Sequence, residues 1–137
     1  MDENNIFTCE KCGVSEKDGC VCPVGATLEL IGGKYKPLIL WYLAANVMRY
    51  GELHRMIPKA TNKVLTQQLR ELENAGLVTR TVFPVVPPKV EYKLTELGMN
   101  IKPVLDVMYA WGAGYLAENG EKTDCPGASC HCFKKLI

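Results

Sequence analysis

The clearest hydrophobic pattern in the chain lies between residues 61 and 76, where leucines recur at helical spacing. At about 100° per residue, one face of such a helix collects Leu65, Leu69 and Leu72. The opposite face carries cations, amides and a hydroxyl, and it has no acid before Glu71. Thr61 or Asn62 can cap the helix through a side-chain oxygen, and Gly76 suits a left-handed C-cap. The segment is predicted to be an amphipathic helix with a buried leucine seam.

Two further helices and a short third one are predicted upstream. The first opens at Pro23, whose missing N–H is not needed at that position, and it ends at Gly32. The second begins near Pro37 and is apolar almost all round, so it is predicted to be the central core helix. A short helix over residues 52–57 and a turn at Pro58 then lead into the amphipathic helix.

Two segments downstream, residues 77–86 and 87–95, are rich in Val, Thr, Phe and Tyr and are predicted to be strands. The prolines between them prevent a regular ladder there, so the pair is predicted to be a β-hairpin with a stiff tip. Thr95 is predicted to cap a long helix that ends near residues 119–120. Residues 96–98 are a candidate separate first turn, and Pro103 is a candidate kink within the helix.

This order of elements predicts a winged helix-turn-helix: an α+β fold, mainly α, with flanking dimerisation helices. The hairpin is the wing. Residues 23–119 are predicted to form the DNA-binding and dimerisation domain, between a Cys-bearing arm (residues 1–22) and a Cys-rich tail (residues 120–137). The last helix has an apolar side that no further core element covers completely, which favours a homodimer over folding back on its own domain. This apolar side of the last helix consists of Ile101, Leu105, Met108, Trp111 and Leu116.

Composition and charge narrow the class of protein. A chain of 137 residues that is 47 % hydrophobic is expected to be globular, with a single core. No apolar run approaches the roughly 20 residues that cross a bilayer, and the N-terminus lacks signal-peptide features, so a cytoplasmic protein without a membrane partner is expected. The net charge is +1, but residues 49–80 hold six Lys and Arg against three Glu. This local excess of cations is consistent with a phosphate-contacting surface.

The outer face of the amphipathic helix has the side chains that read base edges, and double-stranded operator DNA is the expected partner. In an isolated helix the same face could simply be solvated; the flanking elements favour DNA recognition. Lys34 and Lys36, before the core helix, and Arg80 and Lys89, on the wing, are candidate phosphate contacts. The candidates on the helix are Asn62, Lys63, Thr66, Gln67, Gln68 and Arg70.

Three segments together resemble the HxlR-type winged-helix regulators of the wider MarR-like group. They are CPVGATLELIGGKYKPLIL, YGELHRMIPKATNKVLTQQLRELENAGLVTR and VPPKVEYKLTELG, and the resemblance extends from Cys22 to Leu116. It implies a dimeric transcription factor that binds pseudo-palindromic operators, often near its own promoter, in aldehyde, quinone or oxidant responses. Tyr35 stands where the family usually has Trp, and the Cys-rich arm and tail are not family features.

Cys22 is the cysteine with the clearest physical argument. It precedes Pro23 at the predicted N-cap of the first helix, where the positive end of the helix dipole stabilises a thiolate. A Cys in this position also resembles the sensing thiol of redox-responsive members of the family, which implies a redox role. An unreactive capping residue is the alternative.

The other cysteines cluster in the arm and the tail. Cys9, Cys12, Cys20 and Cys22 are candidate ligands of a zinc ion or an iron–sulfur cluster, although Cys-x-Cys is less usual for zinc. Cys125, Cys130 and Cys132, with His131, make a second candidate set. Metal or cluster binding, disulfide switching and no specific chemistry all stay open, so no cofactor is certain.

The sequence predicts a dimeric, sequence-specific DNA-binding transcriptional regulator that is responsive to thiol redox chemistry or metal. The alternative is a Cys-rich metal- or cluster-binding protein in which DNA binding is secondary or lost. No enzyme is expected, because Cys9-x2-Cys12 lies in a polar arm with no preceding strand. Four aromatic residues are interpreted as core packing, with a pocket for an unknown small-molecule effector as the alternative: Trp41, Tyr42, Tyr109 and Trp111.

Overall fold

The computed structural model describes residues 22–120, and the chain divides after Lys34 into two compact units. The described part of the first unit is built on helix α1, Pro23–Ile31. Pro23 occupies its first position and Gly32 its C-cap, so both predicted ends of this helix are confirmed. A Cβ on Gly32 would collide with the Leu28 carbonyl, which explains why a glycine follows the last turn.

Helix α2, Lys36–Ala45, is the central helix of the second unit, as predicted. Its buried face carries Ile39, Leu40 and Leu43, and it contacts four other elements of the unit. Strand β1, Met48–Arg49, and helix α3, Tyr50–Met56, follow directly. The predicted start of α3 at Glu52 is therefore two residues late. Strand β1 was not predicted, because two residues are too few for a period-2 pattern.

Helix α4, Asn62–Asn74, is the predicted amphipathic helix, and its leucine seam is buried as expected. Thr61 Oγ1 accepts from the Val64 N–H at 3.2 Å, which identifies Thr61 as the N-cap. At the other end Gly76 has a φ of +79°. The Leu77 and Gly76 N–H groups donate, each at 3.0 Å, to the carbonyls of Leu72 and Glu73 respectively, which is a Schellman motif.

The wing consists of β2, Val78–Phe83, and β3, Lys89–Leu94, paired antiparallel from Val78 opposite Leu94 to Phe83 opposite Lys89. Strand β1 adds to the other edge of β3, so the sheet order is β1-β3-β2. The prolines lie in the connection between the wing strands, as predicted. The hairpin therefore has one edge anchored by β1 near the start of α3.

The predicted long terminal helix is two helices, α5 (Glu96–Asn100) and α6 (Lys102–Glu118). Thr95 Oγ1 caps α5 by accepting from the Gly98 N–H at 3.0 Å. Pro103 does not kink the helix; it lies in the first turn of α6, where its missing N–H costs no bond. No helix between residues 22 and 120 combines the length and hydropathy needed to span a bilayer.

The apolar positions of α6 fall on two faces, not on the single stripe that the sequence predicted. Leu105 is buried within its own unit, and Ile101 and Leu116 are half-buried. A separate exposed face, the α6 apolar face, consists of Val104, Val107, Met108, Trp111 and Tyr115. Trp111 is 71 % exposed and stacks on Tyr115 with ring centroids 5.4 Å apart.

Candidate nucleic-acid interface

The outer face of α4 is a shallow groove that brings together five of the predicted DNA contacts. Because Leu65, Leu69 and Leu72 hold the helix against the core, the side chains opposite them face solvent. Four of the five are exposed and Thr66 is half-buried. The groove is lined by Asn62, Lys63, Thr66, Gln67, Arg70 and Glu71.

The N-terminal end of this groove is braced by α3. The Tyr50 hydroxyl donates to Asn62 Oδ1 at 2.9 Å and lies 3.2 Å from the Asn62 carbonyl oxygen. The Tyr50 ring stacks on His54, whose Nε2 lies 3.1 Å from the Ala60 carbonyl and must therefore donate to it. Tyr50 therefore engages the amide oxygen of Asn62, and no bond of its amide N–H groups is recorded within the described residues.

The C-terminal end of the groove is tied to the start of α2 by an ion pair. Lys36 Nζ lies 2.6 Å from Glu71 Oε2, with the Lys36 side chain 9 % exposed and that of Glu71 45 % exposed. The hydrogen bond from Lys36, reinforced by its charge and by Gln67, lowers the pKa of Glu71 below its ordinary value of 4.5. The predicted phosphate contact of Lys36 is therefore in competition with an internal partner.

Gln68 also has an internal partner. Its Oε1 accepts from the Tyr35 backbone N–H at 2.9 Å, and its side chain is half-buried. This bond satisfies an N–H at the start of α2 and leaves the amide oxygen of Gln68 occupied. The geometry favours a supporting role for Gln68 beneath the groove over a base contact.

The cations outside α4 differ in how exposed they are and in whether an internal partner compensates their charge. Arg80 is exposed on β2. Lys89 Nζ lies 2.8 Å from Glu91 Oε1 and 5.1 Å from the Phe83 ring centroid, so part of its charge is compensated within the wing. Lys34 is exposed just before α2. Arg49, which the sequence did not single out as a contact, lines a groove with the wing tip (residues 85–90).

The aromatic residues that were interpreted as core packing separate into two groups. Trp41 and Tyr109 stack between α2 and α6, with centroids 5.3 Å apart and planes 9° apart. Both stacked residues, together with Tyr42, line an apolar groove between the same two helices. Trp111 is not among the lining residues of that groove and belongs to the α6 apolar face. Packing and a pocket therefore both stay open as interpretations of Trp41, Tyr42 and Tyr109, which are half-buried and line this groove. The packing interpretation is wrong for Trp111, which is 71 % exposed.

Cys22 is at the N-cap of α1, as predicted. It is half-buried, its backbone is extended, and its thiol makes no capping hydrogen bond. Between residues 22 and 120, no group of three or more His, Cys, Asp and Glu side chains is arranged to hold a metal ion. The remaining candidate ligands lie outside the described residues: Cys9, Cys12, Cys20, Cys125, Cys130 and Cys132.

A short helix, a turn, an exposed polar helix and a hairpin wing define a winged helix-turn-helix DNA-binding protein. The chain belongs to the HxlR-like helix-turn-helix family, which matches residues 30–120. This confirms the predicted family and fold. The protein is an HTH-type transcriptional regulator and not an enzyme.

Relatives and solved structures support the same class. The uncharacterised HTH-type transcriptional regulator YtcD of Bacillus subtilis (strain 168) is 52 % identical over 93 residues, 68 % of this chain and 74 % of YtcD. The oxidised form of the redox regulator HypR is 45 % identical with a TM-score of 0.66, covering 68 % of this chain and 96 % of HypR. The reduced form of the transcriptional regulator YodB from B. subtilis is 35 % identical with a TM-score of 0.59, covering 67 % and 91 %. The comparisons do not support the alternative of a metal protein that has lost DNA binding.

Proposed function

We propose that this regulator is a homodimer that reads operator DNA with the groove face of α4 and is controlled by thiol chemistry at Cys22. The observation that carries the DNA part is the division of α4 into two faces. The leucine seam is fully buried while Lys63, Gln67 and Arg70 are exposed on the opposite side. A helix held in this way can enter the major groove with its polar side chains first.

The proposed contacts follow from the donor and acceptor pattern of each side chain. Arg70 can donate two hydrogen bonds to guanine, and Gln67 can pair with adenine through its amide. Lys63, Thr66 and the amide N–H groups of Asn62 extend the same surface. The cations outside α4 supply phosphate or minor-groove contacts, which position the protein without reading sequence. These are Lys34, Arg80 and Lys89, with Lys36 and Gln68 supporting the groove from beneath.

The homodimer is supported by the α6 apolar face. Trp111 and Val107 are 71 % and 69 % exposed, and three more apolar side chains adjoin them in helical register. Contiguous apolar area of this kind on a terminal helix is typical of an interface. A two-fold dimer would present two copies of α4 about 34 Å apart, one turn of DNA.

Selection from a random duplex library with the purified protein, followed by footprinting upstream of its own gene, tests the DNA-reading proposal. We expect an inverted repeat whose half-sites are about one helical turn apart. A library that yields no enriched motif, or protection with no sequence preference, would refute sequence-specific reading by α4.

Control by Cys22 is supported by its position at a helix N-cap. It is also supported by two similar regulators, each with solved structures described in two redox states. HypR is described as a redox regulator in oxidised and reduced forms, and YodB in reduced and diamide-treated forms. In the proposed step, the thiol of Cys22 and the thiol of a second cysteine form a disulfide. Two protons and two electrons pass to the oxidant, which for diamide reduces its N=N bond to a hydrazine.

Replacing Cys22 with serine is expected to weaken or abolish the oxidant response while leaving operator binding in reductant within about two-fold. Diamide should give the wild-type protein a disulfide-linked dimer or a mobility shift on a non-reducing gel, and dithiothreitol should reverse it. Cys20→Ser is the comparison variant: an unchanged oxidant response places the second thiol elsewhere, and a lost response identifies Cys20 as that thiol. If all seven thiols titrate equally before and after diamide, thiol control is wrong.

A further inference from the structure

The DNA-facing groove of α4 contains an acid, which is an unusual side chain to place against a polyanion. Glu71 lines the groove beside Gln67 and Arg70, and nearly half of its side chain is exposed. A carboxylate there repels phosphate, so it weakens binding to any duplex. Its presence calls for a compensating role, and its contacts indicate what that role is.

The two carboxylate oxygens of Glu71 have different partners. Oε2 lies 2.6 Å from the buried Lys36 ammonium, which belongs to the central helix α2. Oε1 lies 3.3 Å from Gln67 Nε2, one turn earlier on α4. Because a carboxylate is an acceptor at both oxygens, it can bind the NH2 end of the Gln67 amide and repels the carbonyl end. Glu71 therefore selects one of the two orientations of that amide.

We propose that Glu71 is a positioning residue that sets the base preference of Gln67. One N–H of the Gln67 amide donates to Glu71, which leaves the second N–H available as a donor. The amide oxygen does not bind Glu71 and is available as an acceptor. One donor and one acceptor side by side are what the major-groove edge of adenine requires, at N7 and N6. This inference rests on the proposed reading of operator DNA by α4, and it adds a residue that does not itself touch a base.

Lys36 makes this device rigid. An exposed glutamate on a helix normally samples several rotamers, but the Glu71 carboxylate is fixed to an ammonium that is itself buried at the start of α2. The hydrogen bond and charge of Lys36 also lower the pKa of Glu71, so its carboxylate becomes protonated only at a lower pH than that of an ordinary glutamate. About one turn earlier on α4, the Gln68 side chain accepts a hydrogen bond from the Tyr35 N–H. The orientation of the Gln67 amide is therefore set by Glu71 and the buried Lys36, and not by solvent.

The test uses the intact protein and the duplex that the wild type selects, together with a second duplex in which the A·T pair assigned to Gln67 is replaced by G·C. The readout is the ratio of the two dissociation constants. Glu71→Ala is expected to reduce this preference about five-fold, the size of one lost hydrogen bond. Glu73→Ala is the matched control, because it removes the same charge from an exposed position on the same helix. It should change affinity for both duplexes by one common factor and leave the ratio unchanged.

A double-mutant cycle separates positioning from general loss of structure. In a Gln67→Ala background, Glu71→Ala should no longer change the ratio, since the side chain that it orients is gone. Glu71→Gln, which retains an acceptor oxygen, should recover part of the preference. The proposal is overturned if Glu71→Ala keeps the wild-type ratio, or if it lowers the ratio equally with and without Gln67. If the wild type selects no motif at all, the DNA-reading proposal itself fails, which is a distinguishable outcome.

Discussion

Replacing Arg70 with alanine is expected to lower affinity for the selected operator roughly 10- to 100-fold, the loss of one bidentate base contact. Affinity for a scrambled duplex should change by only a few-fold. Arg70 is exposed in the groove opposite the leucine seam, where its guanidinium can reach the edge of a guanine. Fluorescence anisotropy on both duplexes over a range of salt concentrations measures the two affinities and their salt dependence.

Two variants serve as comparisons for Arg70→Ala. Arg55→Ala removes the same charge from an exposed site on α3, and it should leave the ratio of operator to scrambled affinity unchanged. Lys89→Ala should weaken binding to both duplexes alike, because the contact proposed for this wing cation is with phosphate, which carries no sequence information. Its effect should be small, since Glu91 already compensates part of the Lys89 charge. If Arg70→Ala loses affinity equally on operator and scrambled DNA, as is expected for Lys89→Ala, this division of labour is refuted.

The sequence predicted well those elements whose signals lie in residues close together along the chain. The leucine spacing of α4, the Thr61 cap and the glycine at position 76 all act within one or two helical turns. The wing followed from two β-rich segments separated by prolines. Each of these signals depends on local backbone geometry, so it can be read without knowing what packs against it.

The features that were missed depend on partners distant in the chain. Strand β1 exists because Met48 lies opposite Tyr92 in the sheet, and two residues alone carry no strand pattern. The ion pair of Lys36 with Glu71 and the bond from Tyr35 to Gln68 each join residues more than thirty positions apart. Gln67 and Glu71 are four residues apart, so the sequence alone places them side by side on a helix. The sequence does not indicate that a buried lysine fixes the Glu71 carboxylate.

The faces of α6 were misassigned for a related reason. Apolar residues lie on almost every side of this helix, so periodicity alone does not say which side meets the domain. Leu105 packs inward, whereas Val107 and Trp111 point away from it. The prediction of an uncovered apolar surface stands, but its centre moves to Trp111, and this determines where a dimer-breaking substitution belongs.

Replacing Trp111 with glutamate is expected to convert the protein to a monomer and to lower operator affinity at least about 100-fold, because a second half-site can no longer be bound through the same complex. A charge placed in an apolar interface must be desolvated without a partner, which disfavours association strongly. In the monomer the substitution is mild, since this side chain is already largely exposed. Sedimentation velocity measures the oligomeric state, and anisotropy on full and half-site duplexes measures the binding.

Ala117→Glu is the control for this substitution. It introduces the same charge at an exposed position of α6, roughly 120° around the helix from Trp111. It should leave the protein dimeric and its operator affinity within about two-fold, an effect typical of a surface substitution. Circular dichroism should show both variants folded. If Trp111→Glu remains a dimer with wild-type affinity for the full operator, the α6 apolar face is not the interface, because an interface centred there cannot accept an unpaired carboxylate.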